Sequence, residues 1–158
     1  MKIAVFSDSH RVVGLMAMVV KAERPDGILH LGDLEADAME LSRRFPGIHL
    51  WSVCGNCDYM PLGQKRLLLC LEGKTIFAAH GHLYDVKSGV EYFEREAKAA
   101  GADAAFFGHT HVPYRGEYKG MLVANPGSIS LGRRHTYGLL TLENGGLSYE
   151  GKDAEELL

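Results

Sequence analysis

The sequence predicts an α/β domain built on two sheets, and three observations carry that prediction. Through the first 58 residues, short β-branched and apolar runs alternate with amphipathic helical segments. This β-α-β-α-β rhythm belongs to a parallel sheet with helices packed on it. From residue 66 onward most of the chain is strand-like runs set off by glycine turns, which predicts a second, mostly antiparallel sheet. Polar and titratable residues gather just past the ends of the apolar runs, the edge at which parallel sheets bind ligands.

Residues 3–6 form the first strand, which ends in Ser7-Asp8-Ser9-His10, so Asp8 and His10 emerge together. Residues 12–23 place Val12, Leu15, Met16, Val19 and Val20 at helical spacing, and Pro25 stops that helix. A second buried strand over 27–31 delivers Gly32-Asp33 to the same edge as Asp8 if the two strands are parallel, with His30 inside it as a core histidine. An amphipathic helix over 37–44 leads to a third strand, 48–53, which ends at Gly55-Asn56-Cys57-Asp58. Residues 66–71 and 74–79 flank Glu72-Gly73 as a hairpin, and its second arm ends in His80-Gly81-His82. A third helix, 88–100, is rich in Glu, Lys and Ala and is closed by Gly101. Residues 104–107 form a buried strand that stops at Gly108, beyond which His109 and His111 point the same way in extended chain. Four more strands follow over 116–118, 121–124, 137–142 and 147–150, and 152–158 reads as a flexible acidic tail.

At 158 residues the chain is expected to be one domain, 1–158, able to bury a core without disulfides or structural metal. Its 46% hydrophobic and 23% charged fractions are those of an ordinary globule. A net charge of -3 argues against stable nucleic-acid binding, which usually needs a basic face. The apolar run at the N-terminus is too brief for a signal peptide or a membrane span, so a cytoplasmic protein with no membrane association is expected. The 3 cysteines, Cys54, Cys57 and Cys70, are an odd count that suits a reducing compartment. Cys54 and Cys57 have Cys-x-x-Cys spacing, but with no second pair a zinc knuckle is disfavoured.

Collected in order, the strand-end groups are Asp8, His10, Asp33, Asn56, His80, His109 and His111. Each alone has an ordinary reading: Asp8 or Asp33 could cap a helix, and Asn56 could make a turn. Together they are an oxygen and nitrogen ligand set that suits manganese, iron, cobalt, nickel or zinc. A carboxylate could bridge two such ions about 3.5 to 4 Å apart, and the ions would generate a hydroxide nucleophile and clamp a phosphoryl group.

The motifs Asp8-Ser9-His10, Gly32-Asp33, Gly55-Asn56-Cys57-Asp58, His80 and Gly108-His109-Thr110-His111 resemble, in type and order, those of the calcineurin-like metallophosphoesterases. Asn125-Pro126-Gly127-Ser128 is similar to a turn of that family's small bacterial and archaeal phosphodiesterase branch. The resemblance implies a two-sheet β sandwich flanked by helices, with mixed parallel and antiparallel strands. It also implies two divalent ions, manganese first among the candidates, bridged by Asp33. Asp8, His10 and His111 would complete one ion's ligands and Asn56, His80 and His109 the other's, with Asp33, Asn56 and His80 the expected catalytic groups. The implied activity is hydrolysis of a small phosphodiester by a bridging hydroxide.

Many members of that family carry His where this chain has Cys57, and a thiol is a weak donor to a leaving group. Two alternatives follow from the resemblance. One is a non-catalytic scaffold, since a retromer subunit with this fold serves mainly as a protein-binding platform. The other is a phosphomonoesterase, which would draw on cations such as Arg11, Arg133 and Arg134. His82 is a candidate to orient His80 or a water. Met60, Leu62 and Leu67 are candidates to cover a partner, a second copy of the chain among them.

Overall fold

The computed structural model describes residues 1–59 and 63–158. Its strands are β1 (Lys2–Phe6), β2 (Gly27–His30), β3 (His49–Ser52), β4 (Arg66–Leu71), β5 (Lys74–Ala79), β6 (Ala104–Phe106), β7 (Tyr114–Tyr118), β8 (Met121–Asn125), β9 (Thr136–Glu143) and β10 (Gly146–Asp153). Three α-helices accompany them: α1 (Val13–Glu23), α2 (Glu35–Arg44) and α3 (Glu91–Ala99). The strands form two five-stranded sheets, in the orders β10-β9-β1-β2-β3 and β4-β5-β6-β8-β7.

Period-two alternation builds the layers. Ile3 and Val5 of β1 face a core shared with Ile76 and Ala78 of β5 and with Phe106, so the two sheets pack face to face. The intervening Ala4 and Phe6 face α1 and α2 through Met16, Val19, Val20 and Leu41. On the far side Phe77 and Ala79 meet Phe93 and Ala97 of α3. The result is the expected sandwich of two mixed sheets flanked by helices. The last turn of α2 carries Arg43 and Arg44 and its first turn Glu35 and Asp37, the charge order that complements a helix dipole.

Three expectations are corrected. The second half does not form one separate antiparallel sheet: β9 returns to pair antiparallel with β1 and brings β10 with it, while β5-β6 and β6-β8 are parallel. Burial explains both. β1 is covered on both faces and cannot be left as an edge, and α3 between β5 and β6 is the crossover that a parallel pair requires. The tail at 152–158 is not frayed: β10 runs to Asp153, Ala154 is fully buried, and Lys152 pairs with Glu23 at 2.6 Å. Leu67 is not offered to a partner but packs on the inter-sheet core; Met60 and Leu62 lie outside the described residues. Among the described residues no helix is long and apolar enough to cross a membrane.

Candidate metal centre

The parallel strands β1, β2, β5, β6 and β8 bring their carboxyl ends to one edge of the sandwich, and the polar loops meet there. The backbone at this edge is held in an unusual way. Asp8, His10, Asp33, His109 and His111 all have left-handed φ, at 52, 37, 47, 66 and 60°. Such strain persists only where the surroundings over-determine it. Glycine is required beside it: a Cβ at Gly55 would collide with the Asp33 carboxylate, and one at Gly108 with the Ser7 hydroxyl.

Residues with no assigned role in the sequence reading supply the restraint. The Asp58 carboxylate accepts backbone N–H groups of Glu35 at 2.5 Å, Gly55 at 2.6 Å and Asp33 at 3.3 Å, tying two loops together. Ser128 and Ser130 both donate to the Asp8 carbonyl, at 2.8 and 2.7 Å. Asn125 donates to the Gly108 carbonyl at 2.9 Å. The Asn125 turn was visible as a motif; its hold on a residue about 120 positions earlier had no signal in the chain.

The donor atoms converge from both sheets. His111 Nε2 lies 3.2 Å from Asp8 Oδ1, His80 Nε2 lies 3.4 Å from Asp33 Oδ2, and His10 Nε2 lies 3.9 Å from Asp33 Oδ2. Asn56 Oδ1 stands 3.0 Å from His80 Nε2. Two tight groups result, Asp8 with His10 and His111, and Asp8 with Asp33 and His80. His109 joins neither through a ring nitrogen, but its ring is 5.0 Å from that of His80, and its N–H donates to Asp8 Oδ2 at 3.0 Å.

This arrangement fits divalent ions. Ligands each about 2.0 to 2.2 Å from a common ion lie roughly 3 Å or a little more from one another. Asp8 Oδ1 and His10 Nε2 are buried without a hydrogen-bond partner among the described residues. Buried lone pairs in that state need a cation or a proton. His80 donates its Nδ1–H to the Leu31 carbonyl at 2.7 Å, which leaves Nε2 facing the oxygens of Asn56, Asp33 and Asp8.

The carboxylates and imidazoles are coupled through their charges. Burial pushes Asp33 up, but the hydrogen bond and charge of His80 and the N–H of Cys57 outweigh it and hold the carboxyl well below its usual range. Burial lowers His80, yet the Asp33 bond and the Asp8 and Asp33 charges raise it overall. Burial and then the neighbouring His80 lower His109 to about 4. Cys57 is exposed, and desolvation followed by its bond to Asp33 pushes the thiol up, so it stays protonated. His82 sits 5.4 Å from the His80 ring, with its Nδ1 buried and without a hydrogen-bond partner among the described residues. A polar hollow of about 430 Å³ near Lys74, Arg115 and Ser148 lies at the amino ends of β5 and β8, away from these donors.

Comparison with known proteins gives a consistent picture. Residues 1–145 match the model of the calcineurin-like phosphoesterase superfamily domain. A probable metallophosphoesterase of Bacillus subtilis, YsnB, is 34% identical over 150 residues, which are 91% of this chain and 86% of that protein. Phosphodiesterase YfcE of Escherichia coli K12 is 28% identical over 100 residues, 56% of this chain and 50% of that one. Among solved structures, a predicted phosphoesterase of Streptococcus pneumoniae superposes with a TM-score of 0.82 at 27% identity, over 98% of this chain and 90% of that one. Zinc-complexed Vps29 of Entamoeba histolytica shares the fold, with a TM-score of 0.77 at 20% identity over 98% and 99% of the two chains.

Proposed function

The chain belongs to the calcineurin-like phosphoesterase superfamily, and from that premise we propose that it is a phosphodiesterase acting on small diesters with two divalent ions held between its sheets. The observation that carries the reading is the convergence of Asp8, Asp33 and three imidazole Nε2 atoms at 3.2 to 3.9 Å, with buried lone pairs left unpartnered among the described residues. Asp8, His10 and His111 would hold one ion, Asn56, His80 and His109 the other, and Asp33 would be shared. Manganese is the ion we expect in these oxygen and imidazole ligands, with nickel, zinc, iron or cobalt able to replace it. When bound, the pair supplies a hydroxide nucleophile near neutral pH and positive charge for the phosphoryl oxygens.

The chain's own residues set the conditions. Asp33 stays ionised, and the Leu31 carbonyl keeps the proton of His80 on Nδ1 so that Nε2 is available. Asp8 is held on several sides: Ser128 and Ser130 donate to its carbonyl, the Ser7 hydroxyl and the His109 backbone N–H donate to its carboxylate, and its own N–H donates to the Gly32 carbonyl. Cys57 offers only a weak S–H donor at the mouth, which favours esters whose leaving group departs without a proton. The three thiols are free, which suits a reducing cytoplasm.

The diester reading draws on the relative named as a phosphodiesterase. The scaffold reading draws on the Vps29 likeness, since this fold does not by itself carry activity. One assay separates them: hydrolysis of bis(p-nitrophenyl) phosphate by chelator-stripped protein with Mn²⁺, Ni²⁺, Zn²⁺ or Mg²⁺ restored. Metal-dependent turnover is expected; silence with every metal would favour the scaffold. A preference for p-nitrophenyl phosphate over the diester would favour the monoesterase instead.

A further inference from the structure

Beside His111 the surface falls into a hollow of about 450 Å³. One wall is the loop from Thr110 to Pro113, and the other is made by Gly132, Arg133, Arg134 and Thr136. The lining is mostly apolar, and Val112 is 62% exposed at its side. His111 belongs to both features: its Nε2 is 3.2 Å from Asp8 Oδ1, and its flank helps line the hollow. A phosphate held at the candidate metal centre therefore has this hollow as the adjoining surface for one of its ester groups.

The charges at the rim narrow the occupant. Arg134 is engaged by Asp153 at 3.5 Å, whereas the exposed Arg133 has no ion pair among the described residues. An apolar wall edged by a free planar cation suits an aromatic ring, which fills the wall and stacks against the guanidinium. A small alkyl group would cover less of the apolar surface and offer no face to Arg133.

We infer that this hollow is the subsite for the ester group retained on phosphorus, and that it selects an aromatic one. The inference rests on the diesterase reading above and adds the substrate class to it. It is tested with two diesters that differ only in the retained group, p-nitrophenyl phenyl phosphate and p-nitrophenyl methyl phosphate. Both release p-nitrophenolate, so the ratio of their kcat/KM values reports the retained group. The ratio is expected to favour phenyl by about tenfold or more in the native chain. Arg133→Ala and Val112→Asp should each bring it below about threefold, with Arg133→Lys intermediate because charge without a planar face restores only part of the contact.

A binding readout runs in parallel on the zinc-loaded full chain. Phenyl phosphate should shift the backbone amides of Val112, Gly132 and Thr136, and methyl phosphate should leave them in place. Turnover of both diesters with a ratio near one, or with a ratio the variants do not move, overturns the subsite and leaves the diesterase reading standing. Identical amide shifts with the two monoesters also overturn it. No metal-dependent turnover of either diester overturns both readings together.

Discussion

Ser9, His30 and Asp37 join an imidazole to a carboxylate, as the Asp8, Asp33 and His80 centre does, but add a hydroxyl; they are buried as deeply and adjoin the same loops. In the first cluster the hydrogen bonds close. His30 Nδ1 accepts the Gly32 N–H at 3.2 Å, so Nε2 carries the proton and donates to Ser9 Oγ at 3.0 Å; Ser9 in turn donates to Asp37 at 2.7 Å. The hydroxyl is thus turned toward the carboxylate rather than the imidazole, the reverse of a nucleophilic triad. In the second cluster Asp8 Oδ1 has no such partner among the described residues, nor has Nε2 of the adjoining His10. What separates a closed cluster from a candidate ligand site here is the state of its donors and acceptors more than the imidazole and carboxylate groups that the two share.

The largest effect expected from breaking the contrast is at Asp33. Asp33→Asn should cut metal-dependent diester hydrolysis on the order of a thousandfold, because the proposed bridging ligand loses its charge. A variant with more than a tenth of native turnover would show that Asp33 is not shared. On the structural side, burial lowers His30 to about 4 against the opposing charges of Asp37 and Asp8. The unfolded chain therefore binds a proton at His30 that the folded chain refuses between about pH 6.5 and 4, and stability falls as pH falls through that window. The loss is at most about 3 kcal/mol. Urea midpoints measured across the window should show His30→Gln removing part of the slope, and an unchanged slope would mean that His30 is charged in the fold.

Smaller effects sharpen the picture. Ser128→Ala leaves the Asp8 carbonyl with Ser130 alone and should weaken metal binding by about tenfold without unfolding the chain, as read by calorimetric titration. Cys57→His should raise hydrolysis of alkyl diesters relative to aryl ones, by several-fold at least, because imidazolium is the better donor to a poor leaving group. Equal changes for the two classes would remove Cys57 from the account of leaving-group preference.

Much of this was legible in the chain, for identifiable reasons. Strands over residues 66–71 and 74–79 appear where the apolar runs and Glu72-Gly73 placed them. The strand-end groups follow from the rule that parallel sheets gather function at one edge. The sheet that β9 and β10 join was not legible, because pairing with β1 is decided by long-range burial and not by local pattern. The left-handed backbone at Asp8 and Asp33 and the three N–H groups on Asp58 were hidden for the same reason. They exist only once distant loops are brought together.

Anomalous diffraction from crystals of the full chain soaked in Mn²⁺ would locate the ions themselves. Two peaks are predicted, one against Asp8, His10 and His111 and one against Asn56, His80 and His109, with Asp33 touching both. A single peak would contradict a dinuclear centre built between the sheets, and two peaks that do not share Asp33 would contradict its bridging role.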